Sequence, residues 1–328
     1  MNHQDLPVIA ITMGDPNGIG PETIVHVLAE WDVEAIPVVV GDKKILLQVE
    51  GEAGLFPVSK RDKLPVRIVD LSDRFPHQLH WGEVSPSGGR VCFAYLQEAV
   101  QMAMAGQADA IVTAPISKEA VHLADVPYIG HTEMLQSLTG TSEALTMFQV
   151  GRLRVFFLTR HLSLAEAVKE VKYASVLNAL QNMEYYLRIL GVEKPRLAVA
   201  ALNPHAGDGG LLGKEEEQEI SPAVQAAREH GIDASGPYPA DSVFWFAHQG
   251  NYDGVLSLYH DQGHIATKCI DFHGTVSITL GLPFIRTSPD HGTAFDIAGT
   301  GKANPKSLKE AAHWAATYAK RYKQVFLT

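Results

Sequence analysis

The chain has 328 residues with 37 acidic and 27 basic side chains, a formal charge of −10, and is 46% hydrophobic and 20% charged. That is an ordinary water-soluble composition, long enough for one large core or two lobes. The acidic balance and the lack of any Lys/Arg run argue against nucleic acid and against an anionic membrane surface, which both need clustered cations. An anionic metabolite would need positive charge gathered locally. The polar residues 1–6 lead into an apolar run at 7–11, too short for a signal-peptide core or a membrane span, so a cytoplasmic location is expected. Cys92 and Cys269 show neither CxxC spacing nor a disulfide framework, and both are expected to be buried thiols.

Residues 7–13 read as a buried strand, 14–21 (GDPNGIGP) as a tight turn and 22–31 as a helix. The turn lacks the GxGxxG spacing, and serves equally well as a generic turn or as one facing a ligand. Strands at 36–41 and 66–71, a helix at 89–105 and a strand at 110–114 continue the alternation, which predicts a mostly parallel sheet covered by helices. Gly130-His131-Thr132-Glu133 precedes a helix-like stretch at 134–138. Runs at 144–150 and 153–159, split by Gly151-Arg152, read as a β-hairpin, so the sheet should be mixed.

Residues 173–190 form an amphipathic helix with Leu177, Leu180, Met183, Leu187 and Leu190 on one stripe. A strand at 196–202 and a Gly-rich loop at 203–210 come next. The loop has the look of a phosphate cradle, but the glutamates opening the following helix near Glu215 would oppose an anion there. A strand at 255–258 runs into Tyr259-His260-Asp261-Gln262-Gly263-His264 and Lys268, the densest chemistry in the chain. The last helix, 307–326, places Leu308, Ala311, Ala315, Tyr318 and Tyr322 on one side.

His161, His205 and His260 each follow an apolar run by a few residues. If those runs are parallel strands of one sheet, their carboxyl ends share an edge, which is where α/β sheets bind ligands. Three imidazoles meeting there would suit a divalent metal, Zn²⁺ first; three ordinary hydrogen-bonded histidines fit the pattern as well. Lys268 and Arg286 are able to bind phosphate or carboxylate, and Arg286, between an apolar run and Thr287-Ser288-Pro289, is the less easily read as a solvated surface cation.

The stretch His291-Gly292-Thr293-Ala294-Phe295-Asp296-Ile297-Ala298-Gly299-Thr300-Gly301 resembles the nucleotide-binding loop of the isopropylmalate and isocitrate dehydrogenases. Together with the 14–22 turn, Gly130-His131-Thr132-Glu133, Asn203-Pro204-His205-Ala206-Gly207, the 259–264 segment and Gly281-Leu282-Pro283-Phe284-Ile285-Arg286, it makes the chain similar, nearly end to end, to the 4-hydroxythreonine-4-phosphate dehydrogenase family. The resemblance implies an isopropylmalate/isocitrate dehydrogenase-like α/β/α sandwich, two lobes around a mixed sheet with an interdomain cleft. The expected lobes are 1–125 plus 266–328 for the cofactor and 126–265 for the substrate and dimer contact.

It further implies a homodimer with the site at the subunit interface, NAD(P)⁺, and one divalent metal (Zn²⁺, with Mg²⁺ or Co²⁺ as alternatives) on His161, His205 and His260. Substrate contacts fall on His131, Thr132, Lys268, Ser277 and Arg286, and cofactor contacts on His291, Gly292, Thr293, Ala294, Asp296 and Gly299. Lys268 is the expected proton-transfer group, ahead of Asp241 and Asp261. Ser277 stands where the family usually has Asn, with a shorter reach. The implied reaction is oxidation of 4-phosphohydroxy-L-threonine to a 3-keto acid that decarboxylates to 3-amino-2-oxopropyl phosphate. A dehydrogenase of D-threonate or D-erythronate 4-phosphate, or of a cyclic diol acid, is the near alternative, and a non-redox metal-dependent hydrolase or acyltransferase the distant one.

Overall fold

In a computed structural model, residues 6–55 and 66–326 are described. The chain forms two compact units, Met1–Leu145 with Val276–Thr328, and Thr146–Thr275.

The first unit opens with strand β1 (Val8–Thr12), helix α1 (Gly20–Ala29), β2 (Ile36–Gly41), α2 (Lys43–Ala53), β3 (Arg67–Asp70), α3 (Pro86–Met104), β4 (Ala110–Thr113), α4 (Lys118–Leu123) and α5 (His131–Thr139). Helix α3 starts three residues earlier than its apolar pattern, because Ser85 caps it by accepting from the Gly88 amide at 3.1 Å and Pro86 suits the first turn. Helix α5 starts at His131, so the His-Thr-Glu segment is its first turn rather than a lead-in.

The second unit carries β5 (Leu145–Val150), β6 (Leu153–Phe157), α6 (Leu164–Lys169), α7 (Tyr173–Ile189), β7 (Leu197–Ala200), α8 (Ser221–Glu229), β8 (Ala234–Tyr238), α9 (Ala240–His248), β9 (Gly254–Ser257) and α10 (His260–Ile270). The chain returns to the first unit with β10 (Val276–Leu280), β11 (Ile285–Pro289) and α11 (Lys306–Phe326).

In the first unit the strand order is β3-β2-β1-β4-β11-β10, parallel except for the β10–β11 hairpin. Strand β4 is buried at every position, which requires cover on both faces. One group, α3 with α4 and α5, and another, α11 with α1, supply it. The α11 stripe is buried as its spacing predicts, and the Tyr322 hydroxyl oxygen accepts from the Gly281 amide at 2.7 Å.

In the second unit the order is β5-β6-β9-β7-β8, with an antiparallel β5–β6 hairpin and parallel pairs elsewhere. Phe148, Val155, Phe157, Ala198, Val243 and Phe244 form one core layer under α9 and α10, while α7 and α8 pack beside β7, β8 and β9. Along α7, Leu180, Met183, Leu187 and Leu190 are buried, but Leu177 is only half-buried and Val176 takes its place in the core. Cys92 is buried, whereas Cys269 is exposed, on α10 away from the core. The architecture is α/β with mixed sheet pairing, as the strand–helix alternation predicts.

Candidate active site

Strands β6, β9 and β7 are adjacent and parallel, so their carboxyl ends lie along one edge of the second unit. His161 follows β6, His260 follows β9 and His205 follows β7. Side chains stitch the three ends together. Thr159 donates to the Leu258 carbonyl at 2.8 Å, and Gln262 accepts from the Leu258 amide at 2.8 Å while donating to the Ala201 carbonyl at 2.8 Å.

The loop carrying His205 is closed by Glu216, which accepts from the Leu202 and Asn203 amides at 2.8 and 2.7 Å and from the Asn203 amide group at 2.8 Å. A glutamate therefore sits where a phosphate cradle would hold its anion. His205, Ala206 and Asp208 all adopt positive φ (53°, 56° and 43°), a conformation that costs non-glycine residues and clusters at functional sites.

The His161 and His260 rings lie 6.4 Å apart, and His260 stacks on His264 at 4.0 Å. Asp261 lies 2.6 Å from His260 Nδ1, which leaves Nε2 as the ring nitrogen that could ligate a metal. The donor type fits a divalent transition metal. Yet among the described residues of one chain no three His, Cys, Asp or Glu side chains form a group that could hold a metal. The His161 and His260 rings come near each other, and no third His, Cys, Asp or Glu joins them in such a group among the described residues. Lys268, in the same unit, holds its ammonium 4.9 Å from the Phe272 ring centre.

The first unit holds a pocket of about 370 Å³ lined by Thr113, Lys118, His131, Ser277, Arg286, Asp290 and His291, among others. Its floor is the Arg286 guanidinium, 5% exposed. Nε and Nη2 donate to Thr113 Oγ1 at 3.0 and 2.6 Å, and Nη1 donates to Thr279 Oγ1 at 3.2 Å. Burial pushes its pKa down from 12.5 to about 9, so it remains a cation at neutral pH. Its partners are hydroxyls, with no carboxylate among them. Of its five N–H groups three are used, leaving one on each terminal nitrogen for a bidentate anion.

Burial and the Arg286 charge push His131 well below its usual 6.5, so its ring is a neutral hydrogen-bonding group. Gly130, the N-cap of α5, offers no side-chain cap, which leaves first-turn amides of that helix for a ligand. Thr132 is on the same turn, half-buried, but does not line the pocket.

The loop 291–301 packs on the N-terminal turn. The Ile19 amide donates to the Thr293 carbonyl at 3.0 Å, and Ile19, Ala298 and Ala303 form a small core with Trp81, Ala294 and Ile297. Gly14 in that turn has φ +70° and backs onto the Pro115 carbonyl, leaving no room for a Cβ. His291 and Gly292 line the anion pocket, Gly299 lines a second pocket, and Ala294 adopts φ 43°. Asp296 belongs to the same loop.

The structure thus brings His131, Ser277 and Arg286 together with the start of the 291–301 loop, and places Lys268 and the three histidines in the other unit. Sequence reasoning missed Thr113 and Lys118. The signal was present in Ser117-Lys118 just after β4, the position that singled out His260 after β9. It also missed Glu216 and Gln262, whose roles are to hold loop ends and which no local pattern marks.

The family model described as Pyridoxal phosphate biosynthetic protein PdxA matches residues 33–315. A Symbiobacterium thermophilum protein with the provisional name D-threonate 4-phosphate dehydrogenase is 48% identical, over 97% of this chain and 98% of its own. A Halalkalibacterium halodurans protein of the same provisional name is 47% identical, over 96% and 98%. The crystal structure of 4-hydroxythreonine-4-phosphate dehydrogenase from Klebsiella pneumoniae is 41% identical and superposes with a TM-score of 0.85, over 96% of this chain and 98% of that one. An end-to-end match at this identity, in sequence and in fold, makes the chain a member of the PdxA family of dehydrogenases.

Proposed function

We propose that the protein is a nicotinamide-linked dehydrogenase of a four-carbon hydroxy acid phosphorylated at its 4-position, with D-threonate 4-phosphate the first substrate. The observation that carries the reading is the buried Arg286 cation without a carboxylate partner, in a pocket with Lys118 and a neutral His131. An unpaired buried charge is retained only where a ligand completes it. A dianionic phosphate or a carboxylate does so, and it supplies the local positive field that an acidic protein otherwise lacks. The relatives at 47–48% identity named for D-threonate 4-phosphate support that substrate, as does Ser277, short enough to leave room beside a hydroxyl. The second reading, 4-phosphohydroxy-L-threonine, is favoured by the name of the Klebsiella pneumoniae structure and by the family description.

Both substrates carry a secondary hydroxyl β to the carboxylate. Bound nicotinamide would supply the hydride acceptor for that carbon, and a divalent metal held by His161, His205 and His260 would supply a Lewis acid at its oxygen. Arg286 and Lys118 hold the anionic end, and His131 and Ser277 orient it by hydrogen bonds that cost no change of charge. Lys268 is our choice for the group that takes the hydroxyl proton, with Asp241 and Asp261 behind it. The resulting 3-keto acid breaks its C1–C2 bond, releases CO₂ and leaves the electron pair on the ketone oxygen as an enolate, which is then protonated at C2.

His161, His205 and His260 are our choice for the metal ligands, completed across a homodimer by a second copy; the lack of a three-ligand group among the described residues of one chain supports this reading. Exposed Leu162 and Leu164 beside His161, and exposed Ile265 beside His264, support an apolar contact at that edge.

The test is reduction of NAD⁺ or NADP⁺, followed by absorbance, with D-threonate 4-phosphate and 4-phosphohydroxy-L-threonine in parallel, with and without chelator. Turnover of the first at higher kcat/KM, abolished by chelator and restored by Zn²⁺, Mg²⁺ or Co²⁺, is expected. Absence of nicotinamide reduction with either acid sinks the reading.

A further inference from the structure

The loop that carries His205 holds a shape its own residues disfavour. From 205 to 210 every residue lies at positive φ: His205 at 53°, Ala206 at 56°, Gly207 at 81°, Asp208 at 43°, Gly209 at 65° and Gly210 at 86°. Glycine enters this region freely, whereas His205, Ala206 and Asp208 stay there only if neighbouring contacts impose it. Ala206 is the plainest case, since it has no polar side chain to ease the conformation locally.

The contacts that impose it converge on one group. Glu216 is 3% exposed and opens a wide turn of π-helix, Glu216–Ile220, that runs into α8. Its Oε1 accepts from the two amides leading into the loop, Leu202 at 2.8 Å and Asn203 at 2.7 Å, and its Oε2 accepts from the Asn203 side-chain amide at 2.8 Å. Glu215 holds the same Asn203 amide group at 2.7 Å. On the other side of His205, Gly207 is buried and passes so close that a Cβ there would fall 2.9 Å from Glu216 Oε2. The Gly207 carbonyl in turn accepts from the Gly210 and Leu212 amides at 3.0 and 3.1 Å, closing the exit of the loop.

One carboxylate thus bridges the residues on both sides of His205. Three donors point at it, which suits a group that only accepts; a carboxamide in its place would turn an N–H toward at least one of them. The imidazole itself is left exposed.

We propose that Glu216 is a positioning residue for His205: by bridging Asn203 and Gly207 it locks the left-handed backbone that presents the exposed imidazole to a metal completed across the homodimer. The inference rests on the metal reading above, and it adds a residue that touches neither metal nor substrate.

Co²⁺ is the probe, with affinity read by calorimetry and the ligand set read by visible absorption, on the full-length protein. Glu216→Gln should weaken Co²⁺ by about tenfold to a hundredfold and alter the spectrum in the same direction as His205→Ala, while inorganic phosphate binding to the Arg286 pocket is unchanged. Adding Ala206→Gly and Asp208→Gly to Glu216→Gln should recover part of that affinity, because glycine holds positive φ without a clamp. A carboxylate acting on the metal through its charge would not be replaced in this way. Gly207→Ala keeps the carboxylate but drives it off the loop, and should reproduce the loss even if Glu216→Gln does not fold. Unchanged Co²⁺ affinity in Glu216→Gln or Gly207→Ala, or no recovery with the two glycines, overturns the positioning role. Unchanged affinity in His205→Ala overturns the metal reading itself, and this inference with it.

Discussion

Arg286 on β11 reaches its parallel neighbour β4 and grips Thr113, whose hydroxyl accepts from both Nε and Nη2 at 3.0 and 2.6 Å. The guanidinium plane is thereby fixed before any ligand arrives, and its remaining donors face a pocket that also contains Lys118 and His131. Preorganisation of this kind spares the ligand the cost of ordering a long side chain.

Replacing Arg286 with Met removes both anion donors and a buried unpaired charge together. kcat/KM should fall by at least about a hundredfold, the loss expected for a bidentate charge-assisted contact. Thermal stability should change little or rise, because the desolvation cost of the cation offsets the hydroxyl bonds lost at Thr113 and Thr279. Steady-state kinetics and a melting curve on the same preparation check both halves. A large loss of stability would show that the cation is structural.

His131 is held neutral by burial and by Arg286. Its depressed folded pKa means that below 6.5 the unfolded chain binds a proton the folded one does not, so this group costs stability as pH falls through 6.5 and is without effect above it. His131→Gln keeps a neutral donor and acceptor. It should retain kcat/KM within about tenfold, and lose less stability than the parent between pH 7 and 5 in denaturant titrations.

Asp15 is fully buried in the N-terminal turn, with Oδ1 accepting from the Asn17 amide at 3.1 Å and Oδ2 without a partner. Burial raises its pKa from 3.8 to about 6. Between those values the folded protein keeps a proton that the unfolded chain has released, so stability from this group is present at low pH and is lost as pH rises to about 6. The full loss is at most about 3 kcal/mol from the size of the shift. Asp15→Asn should remove that dependence, and the variant's gain over the parent should be larger at pH 8 than at pH 4.5 in chemical denaturation. An equal difference at both pH values would contradict a raised carboxyl.

The three histidines make a distinct prediction, because each follows a different strand end of one chain, and two of their rings approach while no three-ligand group forms among the described residues. His205→Ala should lower bound metal by at least about tenfold in affinity, and so should His161→Ala and His260→Ala, measured by metal content after dialysis. Mixing the His205 and His161 variants should restore part of the metal binding if the ligands are contributed across a dimer. Unchanged metal content in all three variants would remove the histidines from consideration.

Much of this arrangement was legible one residue at a time. Strand–helix alternation is a local signal, so the parallel strands, the β5–β6 hairpin and the buried face of α11 follow from periodicity alone. The same logic put His161, His205 and His260 after strand ends, since a residue's place after an apolar run needs no knowledge of its partners. Strand order is another matter. That β6, β9 and β7 are neighbours depends on pairings between segments 100 residues apart (Val155 with Val255) and 57 residues apart (Leu197 with Gly254), and no local pattern carries it.

Pairing of distant strands likewise put Arg286 beside Thr113, and it decided that a cation in an apolar run would be buried without an acid rather than solvated. Long-range packing also turned Glu22, which reads as an ordinary first-turn helix glutamate, into a buried carboxylate with one oxygen unmet beside Gly299. Residue type and spacing set which chemistry the chain possesses. Which groups meet, and which are left wanting a ligand, is set by contacts between segments far apart in the chain, because burial and charge compensation are properties of those contacts and not of any residue alone.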